Sequence, residues 1–241
     1  MHSIFISDLH LCLSRPAINR IFFDFLRGPA AQAQALYILG DLFEYWAGDD
    51  DDDPFNVSVL SALLELAERD VALYLMHGNR DFLIGERFVT VTRARLLPDP
   101  TLTSLYGTPT LLMHGDTLCT DDFRYQQFRA QVRQTEWQEK FLSQPLASRK
   151  QVIAGLRADS TREKQLKTEA IMDVTATAVE SALRHHGYPR LIHGHTHRPA
   201  LHQHVVDGHC CERWVLADWY TRGSYLQCDA QGCRVIELPS T

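Results

Sequence analysis

Polar clusters of similar kind recur along the chain, each after an apolar run. Asp8-Leu9-His10 follows Ile4-Phe5-Ile6, and Gly40-Asp41 follows Tyr37-Ile38-Leu39. Gly78-Asn79-Arg80-Asp81 follows Tyr74-Leu75-Met76-His77, and His114-Gly115-Asp116 follows Leu111-Leu112-Met113. Gly194-His195-Thr196-His197 follows Leu191-Ile192-His193. Carboxylates and imidazoles suit divalent ions such as Mn²⁺, Fe²⁺ or Zn²⁺. An aspartate can bridge two of them, because it has two oxygens and four lone pairs. A pair of such ions clamps a phosphoryl group and acidifies a water for in-line attack. Any one cluster occurs by chance, but the ordered set points to hydrolysis of phosphate esters or anhydrides. The candidate ligands are Asp8, His10, Asp41, Asn79, His114, His195 and His197.

For these residues to converge, the apolar runs must be strands whose carboxyl ends share one rim, as in open α/β sheets. Ser3–Ser7, Ala35–Leu39, Val71–Met76 and Thr110–Met113 read as such strands. Between them, Pro16 opens a helix with Ile18, Ile21, Phe22, Phe25 and Leu26 on one stripe. Asp53-Pro54 reads as an N-cap with proline at the first helical position, continued by Val59, Leu60, Leu63, Leu64 and Ala67. The tail alternates over His202–Val206, Arg213–Leu216, Ser224–Cys228 and Arg234–Leu238, with turn residues at Asp207-Gly208 and Gln231-Gly232. Early strands alternating with helices and late hairpins predict an α/β sandwich of two packed sheets with helices outside. From about Thr120 to His186 the pattern is helical, an insertion in that frame. The Asp49–Asp53 run reads as a solvated loop and helix N-terminus rather than a metal site.

A chain of 241 residues suffices for one large domain with a substantial core. Its formal net charge of −6 argues against a nucleic-acid partner. The opening apolar run is too short for a signal peptide, and no run approaches the ~20 apolar residues of a membrane span. These features and the absence of any CxxC spacing predict a cytosolic protein with free thiols at Cys12, Cys119, Cys210, Cys211, Cys228 and Cys233. A Cys228–Cys233 pairing across a hairpin is the alternative.

The series D-x-H, G-D, G-N, H-G-D, G-H-x-H resembles the calcineurin-like metallophosphoesterase superfamily over about residues 3–220. That resemblance implies an αββα sandwich. It also implies one ion held by Asp8, His10, Asp41 and His197, and a second held by Asp41, Asn79, His114 and His195. The superfamily usually carries histidine after the asparagine of its third motif; here Arg80 stands there. Arginine does not release its proton near neutral pH, so it is no general acid. It can fork onto phosphate oxygens and offset developing charge, which suits a phosphoanhydride with a good leaving group.

Longer matches narrow the resemblance: Leu42-Phe43-Glu44-Tyr45-Trp46 after Asp41, Phe82-Leu83 after Asp81, Thr117 to Asp122 after Asp116, and Arg198-Pro199-Ala200 after His197. Together they are similar to the UDP-2,3-diacylglucosamine diphosphatase family nearly end to end. The resemblance implies Mn²⁺ as the metal, a monomer, and work on the cytoplasmic face of the inner membrane. It implies a step of lipid A biosynthesis, with water attacking the α-phosphorus of UDP-2,3-diacylglucosamine to give UMP and 2,3-diacylglucosamine 1-phosphate. Arg80, Asp41, His114 and His195 would carry the chemistry. Asn79, Arg80, Asp122, Ser160, Lys164, Lys167 and His195 would contact the substrate, with Tyr125 beside the sugar and Arg157 a weaker candidate. The insertion itself is basic and interleaved with apolar residues: Lys140, Arg149, Lys150, Arg157, Arg162, Lys164 and Lys167 face only Asp159 and Glu163 in that stretch. Such a surface suits an anionic, acylated substrate and an anionic leaflet, so about residues 120–186 are expected to form a lid. Action on dinucleotides or other UDP-sugars is the rival reading.

Overall fold

The computed structural model describes residues 1–166, 171 and 173–239, with the backbone alone over 158–166. In chain order the elements are β1 (Ser3–Ile6), α1 (Pro16–Arg27), β2 (Ala35–Leu39), α2 (Pro54–Ala67), β3 (Ala72–Met76), α3 (Glu86–Thr92), β4 (Arg95–Leu97), β5 (Thr101–Leu105) and β6 (Thr108–Met113). Then come α4 (Phe123–Val132), α5 (Thr135–Leu142), α6 (Leu146–Leu166), α7 (Ala176–His185), β7 (Arg190–His193), β8 (Ala200–Val206), β9 (His209–Val215), β10 (Ser224–Asp229) and β11 (Gly232–Glu237).

One sheet runs β11-β10-β1-β2-β3-β4 and the other β5-β6-β7-β9-β8. β1 to β4 are parallel neighbours, as are β6, β7 and β9. Successive side chains of a strand point to opposite faces, and that alternation builds the layers. Phe5, Leu39 and Met76 of the first sheet meet Leu112, Ile192 and Leu216 between the sheets. Ile4, Ile6, Ile38, Leu73 and Leu75 turn outward onto α1, α2 and α3. Leu111, Met113 and Leu191 turn outward from the second sheet onto Val179 and Leu183 of α7. Both faces of the central strands are therefore dry, which is why they read as continuous apolar runs. The result is the predicted αββα sandwich.

The strands that carry the polar clusters all end at one rim, and α4 to α7 enter the chain between β6 and β7. Three sequence expectations change. First, β4, β5 and α3 add elements that the pattern did not separate. Second, Cys228 and Cys233 are directly opposed on β10 and β11 and form a disulfide, while the other four cysteines are free; the hairpin register brings the two sulfurs together. Third, the Asp49–Asp53 run is not merely solvated. Asp49 accepts from the backbone of Gly85, Arg87 and Phe88 at the start of α3. Asp50 and Asp51 pair with Arg149 and Lys150 of α6, and Asp53 caps α2 through the Phe55 amide. Part of the basic face of the insertion is thus consumed inside the fold.

Among the described residues no helix is long and apolar enough to cross a membrane.

Candidate metal centre

The site is built from the backbone outward. Asp8, His10, Asp41, His195 and His197 all sit in the left-handed region, with φ of 55°, 50°, 54°, 70° and 56°. Such torsions turn the chain sharply off each strand end and aim consecutive polar side chains into one space. The turns interlock: Asp8 N–H donates to Gly40 O (3.1 Å), His10 N–H to Asp41 O (2.9 Å) and Gly194 N–H to His114 O (2.8 Å). Glycine is required where they cross. A Cβ on Gly78 would strike the Asp41 carboxylate, and one on Gly194 would strike Ser7 Oγ and Asp8 Oδ2.

Two sets of donor atoms converge. On one side, His10 Nε2 and His197 Nε2 lie 3.5 Å apart, Asp8 Oδ1 is 3.4 Å from His197 Nε2, and Asp41 Oδ2 is 3.8 Å from His10 Nε2. On the other, Asn79 Oδ1 lies 3.2 Å from His114 Nε2 and 3.0 Å from His195 Nδ1, with Asp41 Oδ1 4.0 Å from His114 Nε2. Asp41 offers one oxygen to each side. His114 Nδ1 donates to Leu39 O at 2.8 Å, so in the neutral ring Nε2 keeps its lone pair for the site. Asp8 Oδ2 accepts from Ser7 Oγ and the His195 amide, whereas Asp8 Oδ1, aimed inward, has no hydrogen-bond partner.

The electrostatics match a cation-binding cluster. Burial pushes Asp8 up, but the nearby His197 imidazole and the charges of His114 and His10 hold it well below the usual carboxylate range. Burial pushes the Asp41 carboxyl up, and Asp81 and Asp8 add to that. Burial pulls His114 down, but Asp41, Asp116 and Asp8 outweigh it and keep that imidazole up at about 9. Burial and then His114 hold His195 down at about 3, and burial holds His10 well below its ordinary value. The cluster therefore keeps a proton on His114 against surplus carboxylate charge, and a divalent ion would replace it. An inward orphan oxygen on Asp8, two imidazoles on each side and a two-sided aspartate fit two divalent ions.

Beside the cluster lies a cleft of about 460 Å³. Its polar end holds His10, Asp41, Asn79, Arg80, His195 and His197; its walls are Trp46, Phe82, Leu83, Phe128, Trp137, Phe141, Ile153 and Leu156. Asp122, Arg124, Tyr125 and Arg157 also line it, and Asp122 caps α4 through the Tyr125 amide. Phe123 is 73% exposed and does not line it. Lys167 lies outside the described residues, as do the side chains of Ser160 and Lys164.

Sequence reasoning assigned no role to three acids that hold this arrangement. Asp81 accepts from the amides of Asp41, Leu42 and Gly78 and so fixes the bridging turn. Asp116 takes Tyr125 Oη and Arg129 Nε, and the Tyr125 ring stacks on His195. Glu44 lies behind His10. Asp81 and Asp116 sit inside the quoted motifs, which is the signal that could have found them.

The chain matches the calcineurin-like phosphoesterase family over residues 1–199. It is 60% identical to a UDP-2,3-diacylglucosamine hydrolase of Aromatoleum aromaticum, covering 96% of this chain and 95% of the relative. It is 51% identical to the protein of the same name from Cellvibrio japonicus, covering 96% and 97%. A third relative of that name, from Edwardsiella ictaluri, is 47% identical over 100% of this chain and 93% of its own length. Among solved structures, a dimetal phosphatase from Danio rerio shares the fold with a TM-score of 0.51 at 12% identity, covering 100% and 99% of the two chains. The chain is a hydrolase that belongs to the calcineurin-like phosphoesterase family, within its UDP-2,3-diacylglucosamine hydrolase branch.

Proposed function

We propose that this protein hydrolyses the pyrophosphate bond of UDP-2,3-diacylglucosamine, giving UMP and 2,3-diacylglucosamine 1-phosphate in lipid A biosynthesis. The observation that carries the reading is a single cleft with two chemically distinct ends. A polar end of convergent ligands adjoins apolar walls of the kind acyl chains pack against. Relatives at 47–60% identity bear the corresponding name.

Asp8, His10, Asp41 and His197 would hold one divalent ion, and Asp41, Asn79, His114 and His195 the other; Mn²⁺ is the ion we propose. Bound there, the two ions would supply Lewis acidity to the phosphoryl group and lower the pKa of the attacking water. Arg80 lines the polar end, and its Nε is buried without a hydrogen-bond partner. Its guanidinium forks onto phosphate oxygens and offsets charge as the anhydride bridge breaks. The leaving phosphate needs no proton from Arg80, which has none to give. Trp137 and Phe141 stack 5.0 Å apart and, with Phe82, present a dry wall to the acyl chains.

Residues of about 120–186 act as a lid on a single domain of residues 1–241. Asp122 and Tyr125 contact the head group from it, and we carry Ser160, Lys164 and Lys167 as further contacts. The protein works as a monomer, peripheral on the cytoplasmic face of the inner membrane, with no nucleic-acid partner. Incubation with Mn²⁺ and UDP-2,3-diacylglucosamine is the direct test: UMP and the acylated sugar phosphate are the expected products. Equal cleavage of UDP-GlcNAc would sink the lipid assignment.

A further inference from the structure

Glu44 is a carboxylate only 6% exposed, at the inner edge of the cleft, and the hydrolytic reading gives it no task. Burying a carboxylate is costly unless it is paired, and its partners come from two segments, the loop between β1 and α1 and the helix α6. Oε2 lies 3.5 Å from His10 Nδ1 and 3.5 Å from Arg15 Nη2, charge contacts rather than hydrogen bonds. Oε1 accepts from Arg157 Nη2 at 2.7 Å. Arg157 belongs to α6 of the insertion, 113 residues away in sequence.

The far side of His10 is packed as firmly. Tyr220 stacks on the imidazole at 5.2 Å with a 15° interplanar angle, and Arg15 lies 4.2 Å over the other part of that stack, the Tyr220 ring. His10 Nε2 faces the donor cluster, so Nδ1 is the nitrogen left to fix its tautomer and direction. A carboxylate opposite the non-ligating nitrogen of a metal-binding histidine sets ring orientation and raises ligand basicity.

We propose that Glu44 is a positioning residue that ties the lid to the metal centre: one oxygen orients His10, and the other clasps Arg157 of α6. The proposal rests on His10 being a metal ligand. It makes lid docking and ligand orientation depend on one carboxylate. A docked α6 neutralises Glu44 from the lid side, and an undocked α6 leaves it facing His10 and Arg15 alone.

The test is calorimetric titration of the metal-free full-length protein with Mn²⁺, together with steady-state kinetics. The variants are Glu44→Gln, Arg157→Gln, the double variant and His10→Ala. Gln keeps the volume of Glu44, and Arg157 sits on a half-exposed helix face, so neither change opens a core cavity. Glu44→Gln is expected to weaken one Mn²⁺ site about tenfold or more and also to raise KM. Arg157→Gln is expected to raise KM with both Mn²⁺ affinities within about twofold of wild type. The double variant should raise KM by less than the product of the two single effects, because the two groups share a contact. Wild-type Mn²⁺ affinity in Glu44→Gln, with one ion lost in His10→Ala, overturns the role of Glu44 while leaving the ligand set intact. Two ions retained by His10→Ala overturns the ligand assignment beneath it. Additive KM effects overturn the clasp, and a lowered melting midpoint with unchanged Mn²⁺ affinity and KM reduces Glu44 to a structural residue.

Discussion

At the scale of single residues, the site rests on backbone conformations that side chains ordinarily avoid. Asp8, His10, Asp41, His195 and His197 each hold a positive φ, at a cost on the order of 1–3 kcal/mol apiece. Those torsions persist because the turns lock one another through glycine crossings. Gly194→Ala should therefore reduce kcat/KM by about a hundredfold or more, since the added carbon meets Ser7 and Asp8. Gly208→Ala is the control. Its φ is positive at 83°, which that of Gly194 is not, yet nothing lies within 4 Å of the new carbon. It should cost only ~1–2 kcal/mol of stability, with kcat unchanged. The site ligands were legible because their types are conspicuous after apolar runs. Asp99 was not, because its partners come from elsewhere in the chain. Neither of its oxygens has a hydrogen bond; Arg129 is 3.8 Å away, and burial and then Asp116 push the carboxyl up to about 6. In the unfolded chain its value is the ordinary ~3.9. Below that pH Asp99 is protonated in both states and carries no penalty. As pH rises through about 6 the folded protein must ionise it, and stability falls. Asp99→Asn should thus gain on the order of 3 kcal/mol at pH 7.5 and little at pH 4. Arg129 keeps Asp116 in that variant, at 2.7 Å. Urea unfolding at the two pH values reads the difference, and an equal gain at both would refute the account.

At the scale of elements, the insertion is attached by charge as much as by apolar packing. Arg149 of α6 is 2% exposed, donates to Ala47 O (2.6 Å) and Gln144 O (3.0 Å), and pairs with Asp50. Lys150 pairs with Asp51 at 2.7 Å. The acidic run and the basic helix thus explain each other, although either alone reads as a solvated face. Sequence pattern showed that helices follow β6, but a run of like charge does not reveal its partner ~100 residues away. For the same reason β5 escaped notice: Thr101–Leu105 alternates exposed and half-buried positions and becomes a strand only by pairing with β6. Arg149→Met should leave two carbonyls and Asp50 unpaired. Asp50 is 61% exposed and stays hydrated, so the expected loss is about 2–3 kcal/mol, below the 3–5 of a fully buried pair. The damage should be local. Limited proteolysis should cut between α5 and α6 sooner than in wild type, and KM should rise more than kcat falls. Uniform protection with an unchanged KM would show that α6 is held by other contacts.

At the scale of the whole molecule, the donor cluster is a joint between two sheets. Asp8, His10, Asp41 and Asn79 follow β1, β2 and β3 of one sheet; His114, His195 and His197 follow β6 and β7 of the other. Elsewhere the sheets meet through Phe5, Leu39, Met76, Leu112, Ile192 and their neighbours, an apolar seam. At the rim, buried aspartates crowd together, and folding must bring them close without bulk water. Divalent ions that bind the folded rim and not the unfolded chain convert that cost into linkage. At a free concentration of 100 times Kd each independent site adds about 2.7 kcal/mol. Mn²⁺ should therefore raise the unfolding midpoint, and a chelator should return it to the metal-free value. The increment should respond to pH with a definite sign. His114 keeps its proton up to about 9 because Asp41, Asp116 and Asp8 overcome its burial, and a bound ion must displace that proton. Stabilisation by a fixed Mn²⁺ concentration should accordingly grow as pH rises from 6 toward about 9. Asp41→Asn turns one of the two bridging oxygens into an amide nitrogen that cannot ligate and removes the bridging charge, so it should erase most of the Mn²⁺ increment at every pH. Without metal it should lose little, because it relieves the Asp8–Asp41–Asp81 repulsion. An Asp41→Asn protein with a full Mn²⁺ shift would mean that the two donor sets bind independently, each on its own sheet.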